Sequence, residues 1–168
     1  MVDLAQPTIE VRAEQPYVAI GERVTMTTMV PTLPDASAVV DDWLRDHSID
    51  TAGPPFWRYL VIDMERGLEV EVGSPTESVV DSAGTVRITS GVLPAGRYAT
   101  VIHTGHPDSL VDATAALLNW AASQGERFDM VTTDDGEHWA ARIEWYLTDP
   151  AEERDMTKWR TQLAFKLA

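Results

Sequence analysis

The 168-residue chain contains no cysteine, which excludes disulfide frameworks, thiolate metal sites and cysteine nucleophiles and fits a reducing compartment. Its apolar runs stop at four residues, as in Tyr59 to Ile62, far short of the ~20 that a membrane-spanning helix needs. The first seven residues, Met1 to Pro7, offer neither a basic region nor an apolar stretch, so the sequence predicts a cytoplasmic protein with no membrane partner. Positive charge is also scarce. Thirteen Lys and Arg face 27 Asp and Glu, a net charge of −14, and such a surface repels phosphate backbones and anionic lipids. No direct nucleic-acid partner is expected, whereas a cationic or neutral small molecule is compatible. The chain has no phosphate loop, no Gly-x-Gly-x-x-Gly, no Gly-x-Ser-x-Gly and no His-Glu-x-x-His. His103 and His106 have a metal-like spacing but no acidic third ligand beside them, and they read as a solvated loop; neither a metal nor a cofactor is expected.

What is present suits one compact domain over residues 1–168, with 44% hydrophobic residues and ordinary use of Gly and Pro. Period-two alternation marks strands at Thr8 to Arg12, Tyr17 to Val24, Phe56 to Asp63 and Leu68 to Val72, the last two joined by an Arg66-Gly67 turn. Apolar residues at helical spacing, opened by Pro34-Asp35, predict a helix from Asp35 to Asp46. The second half repeats the order: strands at Val86 to Thr89 and Arg97 to Thr104, then a helix from Asp108 to Gln124 closed by Gly125. Strands from Trp139 to Leu147 and, edge-like, from Thr161 to Leu167 complete it. Two strand-helix-strand-strand units, about 8–75 and 86–167, are therefore expected as pseudo-repeats of an α+β fold. A charge of −14 and no leftover apolar stripe predict a monomer or loose homodimer.

Strand parity makes Trp139 to Leu147 the informative segment. Glu144 shares a face with Arg142 and Tyr146, while Ile143, Trp145 and Leu147 point the other way. If the Ile143 face packs on the helices, the Glu144 face looks outward or into a cleft. Taken alone, the pattern also suits a surface carboxylate paired with Arg142.

Several short segments together are more specific. Glu144-x-Tyr146-Leu147-x-Asp149-Pro150 is followed by Trp159-Arg160-Thr161-x-Leu163, and preceded by Leu93-Pro94-Ala95-Gly96-x-Tyr98-Ala99 and Val70-Glu71-Val72-Gly73-x-Pro75. In order and spacing these resemble the GyrI-like family, the gyrase-inhibitor-like or multidrug-regulator effector-binding domains, from about Thr8 to Leu167. Gly105-His106-Pro107-Asp108 departs from the Gly-Pro-Tyr type of turn common in relatives.

The resemblance implies duplicated strand-helix-strand-strand units with antiparallel sheets forming a central groove, lined by aromatics around an acidic residue that Glu144 matches. It implies a small-molecule-binding protein for amphipathic, cationic or aromatic ligands. Glu144 and Tyr146 would bind the guest with Trp57, Tyr59 and Trp139, although Trp57 and Tyr59 suit a core equally well. Trp43 and Trp120 read as core, and Glu71 as an outward hairpin carboxylate. Related domains follow DNA-binding helices in transcription regulators; with seven residues before the first strand, a regulatory role would here fall to a separate partner chain. The alternative is hydrolysis of cyclopropane-bearing DNA-alkylating compounds, with Glu144 and Tyr146 as the catalytic pair. A gyrase-binding role is a third reading that the family's name suggests.

Overall fold

The computed structural model describes residues 2–82, 85 and 87–168, and strands dominate it, as the prevalence of period-two alternation requires. The first half contains β1 (Asp3–Leu4), β2 (Thr8–Arg12), β3 (Gln15–Val24), α1 (Met29–Asp46), β4 (Phe56–Asp63) and β5 (Gly67–Pro75). The second contains β6 (Thr89–Leu93), β7 (Gly96–Thr104), α2 (Leu110–Ser123), β8 (Met130–Thr133), β9 (Gly136–Trp139), β10 (Arg142–Tyr146) and β11 (Arg160–Lys166). The strands form one antiparallel sheet in the order β1-β7-β11-β10-β4-β5-β3-β6, with β2 also on β7, β9 on β4 and β8 on β9. A run β3-α1-β4-β5 thus meets a run β7-α2-β10-β11 at the β4/β10 seam, with the β8–β9 hairpin inserted in the second.

This sheet cannot lie flat. β6 and β7 stand six strand spacings apart in the order, about 29 Å on a flat sheet at ~4.8 Å each. Yet only Pro94 and Ala95 join them, a link of at most about 11 Å. The sheet therefore curls into a half-barrel. Leu93 and Tyr98 meet inside the curl with Tyr17, Phe56, Ile143 and Trp145, a cluster that contains no helix residue. The helices cover the outer face: α1 packs Leu33, Val40 and Leu44 on Val18, Ile20, Val70 and Val72, and α2 packs Ala113, Leu117 and Ala121 on Val101, Leu163 and Phe165.

Several elements differ from the sequence-based expectation. α1 begins at Met29 rather than Asp35. Pro31 falls in the first turn, where no donor is needed, and burial of Leu33, 0% exposed, offsets the bond that Pro34 cannot make. α2 ends as foreseen: Gly125, at φ +75°, donates to the Ala122 carbonyl and Glu126 to that of Ala121. The segment from Trp139 to Leu147 is two strands, because β9 and β10 pair with the same edge of β4 on either side of a bulge between Tyr59 and Val61. The break falls at Ala140-Ala141, where the Ala140 N–H turns aside to the Asp129 carbonyl. β11 is no edge strand. It lies between β7 and β10, and Leu163, Ala164 and Phe165 are buried in succession because both of its faces are covered. β6 lies at Thr89–Leu93, later than foreseen, and Val86 of the foreseen strand lies outside the described residues.

Candidate functional site

One row of register partners crosses the sheet: Val101, Leu163, Glu144, Trp57, Val72 and Ile20. Direct partners on neighbouring strands point to the same side, so all six share the outer face. Val101 and Leu163 lie beneath α2, and Val72 and Ile20 beneath α1. Glu144 and Trp57 fall between the two helices, on the floor of a furrow. Parity places Glu144 and Tyr146 together, but the face they share is the helix-bearing one. Ile143 and Trp145 instead fill the inside of the curl, the reverse of packing the Ile143 face on the helices.

The Tyr146 hydroxyl donates to Glu144 Oε2 at 2.6 Å, and the Tyr59 phenol approaches the same carboxylate and favours its ionised form. Trp57 meets Tyr146 edge to face, with ring centres 4.9 Å apart. Burial pushes the Glu144 carboxyl above the ordinary glutamate range, opposed by the two phenols and by the Arg142 guanidinium. Burial and the adjoining carboxylate push both phenols well above their usual value, so they remain donors. The furrow thus holds one carboxylate framed by two phenols and an indole, of which Tyr59 is 8% exposed within the α1 cluster and Trp57 packs partly buried against that cluster. Such an arrangement can neutralise a cation while presenting aromatic faces to an apolar body.

Trp139 lies beside the furrow, against Arg142. It closes β9, is 6% exposed, and packs with Phe128 and Phe165 in the α2 cluster, where the Arg142 guanidinium lies over its ring. Trp43 and Trp120, read as core, pack partly buried at the margins of the α1 and α2 clusters. Glu71 is not a solvated hairpin carboxylate. On the face away from the furrow it accepts from the Tyr17 hydroxyl at 2.8 Å and pairs with Arg58 at 3.4 Å, and Arg58 also reaches the Ala140 carbonyl. His103 likewise is not in a loop: it is buried in β7, with Nε2 2.6 Å from Ser109 Oγ, and burial lowers its pKa. Among the described residues no group of three or more His, Cys, Asp and Glu could hold a metal ion. Among them, too, no helix is long and apolar enough to cross a membrane.

A curled antiparallel sheet carrying two helices on one face, with an aromatic and acidic furrow between them, defines a class of α+β domain in which helices wall a potential ligand site. The chain belongs to the GyrI-like family: the family described as "GyrI-like small molecule binding domain" matches residues 5–168. The fold is that of the EcmrR C-terminal domain, at 18% identity and a TM-score of 0.74, covering 97% of this chain and 97% of that one. It is also found in EcmrR bound to DNA, at 18% identity and a TM-score of 0.74, covering 96% of this chain. There the chain spans 57% of the longer EcmrR chain. A third similar structure is SAV2435 bound to tetraphenylphosphonium, at 9% identity and a TM-score of 0.64, covering 98% of this chain and 94% of that one. No curated protein matches the sequence.

Proposed function

We propose that this GyrI-like domain captures amphipathic cations or aromatic compounds in the furrow, with Glu144 as counter-charge and Trp57, Tyr59 and Tyr146 as its aromatic walls. The observation that carries this reading is the position of the half-buried Glu144, accepting from Tyr146, at the seam of the sheet between the helices. A carboxylate held there is costly unless a cation repays its desolvation. Monomers or loose dimers suffice, since the furrow is built within one chain. The two runs that meet at the β4/β10 seam are taken as diverged copies of one unit.

Acidity gives a direct test. Binding of a cation needs the ionised carboxylate, so affinity should fall as pH drops through the Glu144 pKa, which burial places above the ordinary glutamate range. Tetraphenylphosphonium carries a permanent charge and does not itself titrate. Followed by tryptophan fluorescence, its affinity should decline from neutral to mildly acidic pH, while that of neutral triphenylphosphine oxide stays level. Equal pH profiles for the two compounds would remove Glu144 from the site.

A second reading, hydrolysis of cyclopropane-bearing alkylators, is favoured by the 2.6 Å Tyr146–Glu144 pair. Glu144 would accept a proton from water, and the Tyr146 hydroxyl would swing from Glu144 to donate to the oxygen on which charge develops. Product mass distinguishes the readings: a gain of one water on incubation supports hydrolysis, and an unchanged mass supports capture alone.

A further inference from the structure

Arg142 lies on the furrow floor beside Glu144, two residues along β10 and on the same face, about 7 Å away by the rise of a strand. Its guanidinium carbon is 4.8 Å from the Trp139 ring centre, 4.8 Å from that of Phe165 and 6.0 Å from that of Tyr59. Ring faces hold the charge in place but use none of its five N–H donors as a carboxylate or carbonyl would. Among the described residues Arg142 has no hydrogen bond and no ion pair within 4.0 Å. Arg58, on the opposite face, donates to the Tyr17 hydroxyl, Glu71 and the Ala140 carbonyl. Glu144 and Glu137 both act on the Arg142 charge, but neither comes within 4.0 Å to pair with it, and the Glu144 carboxylate already accepts from Tyr146. A half-buried guanidinium is therefore held in position with its donors unspent, next to a carboxylate whose acceptors are partly spent.

We propose that Arg142 is a second polar anchor of the furrow, and that the preferred guests are aromatic ampholytes. Such a guest carries a cationic group for Glu144 and, toward Trp139 and Phe165, an acceptor such as a carboxylate, sulfonate or carbonyl for Arg142. This rests on the capture reading and narrows it. Trp139 and Phe165 then position the guanidinium and leave contact with the guest to Arg142.

Rhodamine B, which carries a free carboxylate, and its ethyl ester, which lacks that charge, form a matched pair of probes. The unaltered protein should bind rhodamine B about tenfold more tightly than the ester, the ratio expected for one hydrogen bond to a charged group. Arg142→Met should bring that ratio close to one by weakening the acid and sparing the ester, and Arg142→Lys should restore part of it. Equal affinity of the unaltered protein for both dyes overturns the proposal and leaves capture intact, and this comparison needs no variant to fold. Rhodamine B failing to bind where tetraphenylphosphonium binds overturns it as well. Failure of all three compounds to bind removes the capture reading together with the proposal.

Discussion

Glu144→Gln should weaken tetraphenylphosphonium binding roughly 30- to 150-fold, the equivalent of about 2–3 kcal/mol for a partly buried charge pair. The amide keeps the shape of the side chain and can still accept from Tyr146, so the loss isolates the charge. Triphenylphosphine oxide, of similar size and neutral, should change less than about threefold. The same substitution should raise stability at neutral pH. A carboxyl whose pKa is raised in the folded state disfavours folding when ionised, and the cost disappears once acid protonates it. The gain in Tm should therefore be present near neutrality and vanish below the ordinary glutamate pKa. A variant that bound the cation as well as the parent, with no change in Tm at any pH, would reduce Glu144 to a surface carboxylate.

A large loss of stability is expected one residue from the furrow, at Phe56. Phe56 and Trp57 are neighbours on β4 and point to opposite faces, Trp57 into the furrow and Phe56 into the curl. Phe56 is 0% exposed, with ring centres 5.3 Å from Tyr17 and 5.0 Å from Trp145. Its tip approaches so closely that a Cβ on Gly73 would lie 2.8 Å from it, so little room remains for a different filling. Phe56→Ala should cost about 3–5 kcal/mol, lowering the urea midpoint and reducing Tm by on the order of 10 °C. A loss under about 1 kcal/mol would mean that the inside of the curl is not the packed core described above.

The candidate site was legible in part because strand parity depends on few residues. Arg142, Glu144 and Tyr146 share a face whatever the neighbouring strands do, and period two in Phe56 to Asp63 puts Trp57 and Tyr59 together. Which face the helices cover was not legible, because Ile143 and Trp145 are the more apolar pair, and here the curl rather than a helix buries them. The fate of Trp139 depended on the break at Ala140-Ala141, which the register of a distant strand imposes and no local turn residue announces. The setting of Glu71 was hidden for the same reason: Arg58 and Tyr17 reach it only through the register of β3, β4 and β5. α2, with its own apolar stripe and Gly125 stop, carried its signal within one segment and was legible to within two residues at either end. The central place of β11 was signalled by Leu163-Ala164-Phe165, a run with no polar alternate.

Location of the guest tests the central claim most directly. The six tryptophans, at positions 43, 57, 120, 139, 145 and 159, give indole N–H resonances that report separately on the furrow, the two helix clusters and the inside of the curl. Titration with tetraphenylphosphonium, followed by two-dimensional 1H–15N NMR, should shift the Trp57 indole and the Glu144 and Tyr146 amides most, along one saturating curve. Trp145, inside the curl, should move least. Saturable shifts centred on Trp145, or on the charged cavity of about 390 Å³ lined by Arg23, Arg66 and His138 at the far end of the β4–β5 hairpin, with Trp57 unmoved, would contradict the account.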